Sequence, residues 1–324
     1  MAPLRLDPEL AAVMAALAPA GGADSQSPFP AVPTVASFRQ SFKDSFEQVC
    51  STIEWPAGMQ TSTHTTTSLD GSTLEITRFL PANAGPARAV LYVFGGGTIA
   101  GSVEQSRNLI ARTAAATSTQ HFGVHYRLAP EHPYPAALED VYSGLVWLQA
   151  HAAEFGVDPA RLVIAGASAG GLLSAAAALY ARDHKLDHPI AGMLLRYPML
   201  DDRTVLAEGD ALKPFLAYTT ESNDLAWACY LGRPRSERGD DNVPIYAAPG
   251  RATDLSNLPR AYVDVGGLDL FRDESLAFAS RLAAANEDVE FHLFPGVIHG
   301  FDFMAMLSVS KAAAAAEYRF IESF

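Results

Sequence analysis

The chain has 324 residues, 49% of them apolar and 18% charged, enough to bury a large core and unlike a disordered or fibrous composition. At roughly 150 residues per domain, this length suggests about two folding units, or one large α/β sheet carrying an insertion. Lys and Arg number 23 against 36 Asp and Glu, a formal charge of −13, so a polyphosphate is repelled and nucleic acid is not an expected partner.

Cys50 and Cys229 lie too far apart for a zinc ribbon, a C-x-x-C redox pair or a disulfide framework. They read as reduced thiols. No run reaches the ~18 apolar residues that a bilayer span needs, so no stable membrane insertion is expected and the location read from the sequence is cytoplasmic. Ala11 to Ala20 has the texture of a secretion-signal core, but Asp7 and Glu9 stand where such a signal carries positive charge. Leu6, Leu10, Val13, Met14 and Leu17 recur at helical spacing, and Asp7-Pro8 reads as the start of that helix.

Residues 18 to 33 are rich in Gly, Pro, Ser and Ala and read as a loop before a second helix near Val35 to Cys50. The first 60 residues form a helical arm in this reading. Thr61 to Thr67 and Leu74 to Phe79 are strands joined by the Asp70-Gly71 turn. Ala89 to Phe94 is a third strand ending in three glycines, followed by a helix from about Gln105 to Ala116. Then come a strand at Phe122 to Tyr126, a helix over Ala136 to Phe155, a strand at Leu162 to Ala165 and an Ala-rich helix from Gly170 to Arg182. Ile190 to Tyr197, Ala261 to Val265 and Val289 to Phe294 complete the strands, with helices from about Glu274 to Ala285 and from Met304 onwards. Strand and helix in alternation predict a mostly parallel sheet covered on both faces. Between Leu200 and Pro259 the pattern breaks, which suggests an inserted cap over 201–250 between catalytic segments 61–200 and 251–324.

Gly166-Ala167-Ser168-Ala169-Gly170 lies directly between a strand and a helix, where a sharp turn would hold the Ser168 hydroxyl above the sheet edge. A serine needs a base to take its proton and a carboxylate to hold that base. His299 and Asp269 both follow expected strands and come in the order Ser, Asp, His. Asp264, Asp273 and Asp302 compete with Asp269; the first is mid-strand, the second starts a helix and the third lies beyond His299. His292 reads as structural, and His121, His125 and His132 precede the serine. Gly95-Gly96-Gly97 allows backbone N–H groups close to a substrate oxygen, so Gly95, Gly96 and Ala169 form the expected oxyanion hole. The rival reading of these glycines, a dinucleotide fingerprint, lacks the G-x-G-x-x-G spacing and an acidic residue at the end of the next strand.

Together these segments resemble the hormone-sensitive-lipase family of α/β-hydrolases, on Tyr126-Arg127-Leu128-Ala129-Pro130-Glu131-His132-Pro133, Ser168-Ala169-Gly170-Gly171, Tyr197-Pro198-Met199-Leu200-Asp201-Asp202, Arg272-Asp273-Glu274 and His299-Gly300-Phe301. The resemblance implies an eight-stranded hydrolase sheet with a helical cap, no cofactor or metal, and hydrolysis of small-molecule carboxylic esters. It assigns Ser168 as nucleophile, His299 as base and Asp269 as its orienting acid, and implies that Arg127, Glu131 and His132 brace the fold. Phe94, Ala167 and His125 stand where the family pattern carries His, Asp and Asp, which suggests that a polar network behind the oxyanion loop has become partly apolar around Phe94.

Phe215, Tyr218 and Trp227 are aromatic enough to line an acyl pocket or to form the cap's own core. Phe94, Val297 and Ile298 are further candidates for substrate contact. Short to medium acyl esters are the expected substrates; a homodimer is compatible with the sequence but not legible in it. Two other readings stay open: a non-hydrolytic cyclase, lyase or acyltransferase on the same fold, and a small-molecule binding protein.

Overall fold

A computed structural model describes residues 4–17, 34–85 and 87–324; the loop expected over 18–33 lies outside the described residues. In chain order the elements are α1 (Pro8–Leu17), α2 (Val35–Cys50), β1 (Gln60–Thr67), β2 (Thr73–Leu80), β3 (Ala87–Val93), α3 (Val103–Thr117), β4 (Gln120–Val124), α4 (Ala136–Ala150), β5 (Val157–Ala167), α5 (Ala169–Asp183), β6 (Gly192–Arg196), α6 (Thr220–Leu231), β7 (Arg260–Gly266), α7 (Arg272–Ala284), β8 (Val289–Phe294) and α8 (Ser308–Glu322). One eight-stranded sheet runs in the order β1-β2-β4-β3-β5-β6-β7-β8. β1, β2 and β4 pair antiparallel; every pairing from β4–β3 to β7–β8 is parallel.

The two sides of this sheet follow from the two-residue period of its strands. Val90, Val163, Leu194 and Tyr262 pack with Ala316, Phe320 and Ile321 of α8. Leu91, Ile164, Leu195 and Val263 turn to the larger core, which includes residues of α4 and α5. Both sides of the central strands are covered, so their sequences are continuous apolar runs rather than alternations. In α5 nearly every residue is buried, and its alanines and glycines let it lie close against β5 and β6.

Element boundaries depart from the sequence expectation where local hydrogen bonding intervenes. The helix expected over 136–155 is α4 followed by a separate 3-10 turn at Ala152–Phe155. α3 starts at Val103 because the Ser102 hydroxyl accepts the Gln105 N–H at 3.1 Å. α8 starts at Ser308 because residues 301–303 form their own 3-10 turn after Gly300. β4 ends at Val124, so Tyr126 has left the sheet and its hydroxyl reaches the Phe94 carbonyl at 2.9 Å.

The N-terminal helices attach to the loops that follow the strands. The Asp7 N–H donates to Gly296 O at 2.8 Å, and Glu9 accepts from the Ser308 N–H and hydroxyl, both at 2.7 Å. In α2, Phe38, Phe42 and Phe46 recur every fourth residue and stack along one face. Phe38 meets Tyr218 at 6.1 Å and Phe46 meets Phe303 at 4.8 Å between ring centroids. Burying each of these two rings contributes roughly 1.5–3 kcal/mol. Arg39 fixes the same helix, donating to Ile99 O (2.7 Å), Ala129 O (3.1 Å) and Glu131 (2.6 and 2.8 Å). Arg127 binds Asp140 and Asp70, joining the β1–β2 turn to α4.

Candidate active site

β5 delivers Ser168 into a backbone conformation that side chains rarely adopt, φ 57° and ψ −119°. The turn closes tightly: a Cβ on Gly170 would lie 2.1 Å from Val93 O and 2.7 Å from Phe94 O, so only glycine fits. The Ser168 N–H donates to Arg196 O at 2.9 Å and its carbonyl accepts from Met199 N–H at 3.1 Å. These bonds anchor the strained turn to the segment that leaves β6.

The three residues expected to converge do so from three separate strand ends. Ser168 Oγ lies 3.0 Å from His299 Nε2, and His299 Nδ1 lies 2.8 Å from Asp269 Oδ2. Asp269 is fully buried, and its other oxygen accepts the Phe271 N–H at 2.8 Å. With Nδ1–H donating to Asp269, the tautomer leaves Nε2 as acceptor for the Ser168 hydroxyl. The competing carboxylates sit elsewhere: Asp264 is buried and accepts from Tyr262 Oη (3.0 Å), Asp273 pairs with Arg272 on α7, and Asp302 pairs with Arg196. Of the other histidines, His292 pairs with Glu290 and His121 bonds Thr119 O.

Gly95 lies against the serine. A Cβ there would be 2.7 Å from Ala167 O and 3.5 Å from Ser168 Cβ. Among the described residues, the N–H groups of Gly95, Gly96 and Ala169 find no acceptor, leaving them free for an oxygen of a bound molecule. Ala169 opens α5, so the partial positive charge of that helix end adds to the same point.

The tentative substrate contacts separate into two groups. Tyr218 comes to the site: its ring centroid is 5.5 Å from that of His299, and its hydroxyl is 3.0 Å from where a Gly97 Cβ would be. Burial raises its phenol pKa. Phe94, by contrast, is 2% exposed and stacks on Tyr126, so its ring supports the glycine loop from inside the core. Val297 and Ile298 are buried as well; the Val297 carbonyl accepts the Leu268 N–H at 2.9 Å, tying the base loop to the carboxylate loop. Phe215 packs at the margin of the core, and Trp227 is fully buried 6.0 Å from Tyr230 in α6. His125 does not join Phe94 in a common shell, because its Nε2 lies 2.8 Å from Thr77 Oγ1 on β2.

Sequence reasoning did not single out Phe271, 5.3 Å from the His299 ring, and met Tyr197, 4.6 Å from it, only as the first residue of a family-like segment, with no role at the site. Neither position carries a local pattern that announces the contact. The stripe Phe38, Phe42, Phe46 did carry one, a four-residue aromatic repeat. Among the described residues there is no His, Cys, Asp and Glu cluster arranged to hold a metal ion, and no helix long and apolar enough to cross a membrane.

A serine, an imidazole and a carboxylate set at the strand ends of a largely parallel sheet define an α/β-hydrolase. The family described as alpha/beta hydrolase fold matches residues 90–303. Esterase LipI of Mycobacterium tuberculosis is 38% identical over 218 residues, 66% of this chain and 66% of that protein. Carboxylesterase NlhH of the same species is 36% identical over 228 residues, 69% of this chain and 70% of its own. The chain thus spans about two thirds of the length of these curated relatives. Among solved structures, the Bacterial Heroin Esterase superposes with a TM-score of 0.85 at 33% identity, covering 98% of this chain and 97% of that one. The hyperthermophilic esterase from the archaeon Pyrobaculum calidifontis gives 0.85 at 28% identity over 99% of each. The chain belongs to the hormone-sensitive-lipase family of α/β-hydrolases.

Proposed function

We propose that this protein hydrolyses small carboxylic esters through an acyl-enzyme on Ser168. It is a carboxylic ester hydrolase, the class that its relatives' names share. The observation that carries the reading is the continuous pair of contacts Ser168 Oγ to His299 Nε2 (3.0 Å) and His299 Nδ1 to Asp269 Oδ2 (2.8 Å).

In this mechanism His299 Nε2 takes the Ser168 proton as Oγ attacks the ester carbonyl, and Asp269 steadies the imidazolium that forms. The negative oxygen of the tetrahedral intermediate is met by the N–H groups of Gly95, Gly96 and Ala169. One such donor is typically worth ~10²–10³ in turnover. His299 then protonates the leaving alcohol, and in the second half-reaction deprotonates the water that releases the acid.

The helical arm, 1–60, and the insertion, 201–250, act together as a cap in this proposal. Its support is the contact of Phe38 with Tyr218 and the position of Ala226 Cβ, 3.1 Å from a Gly97 Cβ. Tyr218 beside His299 gives the entrance an aromatic wall, suited to short or medium acyl groups. Two free thiols, Cys50 and Cys229, fit a reducing cytoplasm.

The test is hydrolysis of nitrophenyl esters of increasing acyl length, with free acid quantified. Wild type should release acid and nitrophenol in equal amounts, with a preference for shorter chains. Transfer of the acyl group to an alcohol without acid release would make the protein an acyltransferase, and turnover of no ester would remove the hydrolase reading.

A further inference from the structure

Behind the proposed triad, the residues that leave β6 touch both reacting loops. The main chain of Arg196 and Met199 holds Ser168, through Ser168 N–H to Arg196 O (2.9 Å) and Met199 N–H to Ser168 O (3.1 Å). The side chains of Arg196 and Tyr197 reach the loop that carries His299. Arg196 Nη1 donates to Asp302 Oδ2 at 2.8 Å, and Tyr197 Oη donates to Asp302 Oδ1 at 2.6 Å. Asp302 lies three residues after His299 on the 3-10 turn Phe301–Phe303, and all three side chains are buried.

Tyr197 is held from its other side too. Its N–H donates to Asp264 O at 2.7 Å, and its φ of 33° is unusual for a bulky residue. From this fixed backbone its ring meets the His299 ring at 4.6 Å and 65°, edge to face. No hydrogen bond joins Tyr197 to either imidazole nitrogen, which are taken by Asp269 and Ser168.

We propose that Arg196, Tyr197 and Asp302 form a buried brace that sets the angle of the His299 ring relative to Ser168, with Tyr197 as the positioning residue. The inference rests on the reading of Ser168 and His299 as the reacting pair. Asp269 fixes one edge of the imidazole; its tilt about that contact is limited by three rings, Tyr197 at 4.6 Å, Phe271 at 5.3 Å and Tyr218 at 5.5 Å, of which Tyr197 is the nearest and the one tied to the base loop through Asp302. The Tyr197–Asp302 bond keeps that ring in place, and the Arg196–Asp302 pair locks the base loop to the strand that also seats the serine. A displacement of ~1 Å at such a contact costs about 10² in rate, so loss of this support is read in kcat rather than in substrate affinity.

The experiment compares wild type with Tyr197→Phe and Tyr197→Leu on nitrophenyl acetate, with kcat expressed per active serine as counted by fluorophosphonate labelling. Tyr197→Phe keeps the ring and removes the bond to Asp302. Its kcat should fall about tenfold while KM stays within about twofold. Tyr197→Leu should fall about a hundredfold, again mainly in kcat. A purely structural role would lower the number of labelled sites and leave kcat per site unchanged, and that result overturns the brace. The triple variant Arg196→Met/Asp302→Leu/Glu317→Gln removes the buried guanidinium together with both buried carboxylates that it faces, and it too should lose kcat per site; full kcat there also overturns the proposal. If wild type neither turns over ester nor labels at Ser168, the functional reading itself fails, which is a different result from an active wild type with unaffected Tyr197 variants.

Discussion

The Phe94 and Tyr126 rings lie 4.0 Å apart and nearly parallel, at 13°, while the Tyr126 hydroxyl donates to the carbonyl of Phe94 itself at 2.9 Å. Phe94 stands where the family pattern carries a histidine, one residue before the glycines of the oxyanion loop. The stack and the hydrogen bond fix the end of β3 by apolar contact and one neutral donor, with no second ionisable group. Tyr126→Phe should keep the stack and lose the bond, lowering stability by about 1 kcal/mol in urea unfolding. Phe94→Ala leaves a cavity and should cost roughly 3–5 kcal/mol. Phe94→His should alter turnover on a simple ester by less than Ser168→Ala does.

The approach of Gly95 to Ala167 O, 2.7 Å from where its Cβ would be, leaves no room for a side chain beside the serine turn. Gly95→Ala should move the N–H away from the developing oxyanion and lower kcat by ~10²–10³. The far-ultraviolet circular dichroism should be unchanged, because the displaced loop lies outside the strands. A kcat within a few-fold of wild type would remove Gly95 from the oxyanion hole.

His121 is buried in β4, and loss of water around it pushes its pKa down to about 4. The folded chain therefore resists a proton that the unfolded chain accepts near its ordinary value of about 6.5. Stability from this group is complete above about 6.5, declines as the pH falls from there to about 4, and does not change further below that. Over this window the loss amounts to about 3 kcal/mol. Urea midpoints at the two ends of the window, for wild type and His121→Gln, should differ more for wild type; equal differences would show that His121 is protonated in the folded state without penalty.

Arg39 ties α2 to the Ile99 and Ala129 carbonyls and to Glu131. Its guanidinium holds the Glu131 carboxyl down at about 2, so this ion pair is complete above the ordinary carboxylate value, and the stability that it contributes declines as the pH falls from there to about 2. Arg39→Ala should loosen the arm at neutral pH. Proteolysis within the first 60 residues should quicken and KM for a medium-chain ester should rise two- to tenfold, with kcat changed less. Unchanged proteolysis and unchanged KM would mean that the arm is neither held by Arg39 nor part of the substrate entrance.

The proposed chemistry was legible in the sequence where it sat at the punctuation between strand and helix. Ser168 is marked by the glycines of its turn, and Asp269 and His299 by their places after two later strands. The sheet was legible for the same reason, since its central strands are apolar runs separated by helices. What was not legible depends on contacts between segments remote in sequence. Phe94 read as a substrate contact, yet it is buried on Tyr126, because nothing local reveals which side of the loop its ring takes. Tyr197 stood out only as part of a family-like segment and Asp302 only as a rival to Asp269; their joint contact with Arg196 exists only once β6 and the 3-10 turn after His299 are side by side. Helix and strand ends shifted where a single bond decided them, as at Ser102 and Tyr126.

The most direct test of acyl transfer through Ser168 is the mass of the protein trapped during turnover of nitrophenyl acetate in acid-quenched samples. Wild type should carry one acetyl group, about 42 Da, on the peptide containing Ser168, with a burst of nitrophenol equal to the labelled fraction. Ser168→Ala should carry none and lose at least ~10³ in kcat. Acetyl found on another residue, or turnover by Ser168→Ala at the wild-type rate, would contradict Ser168 as the nucleophile.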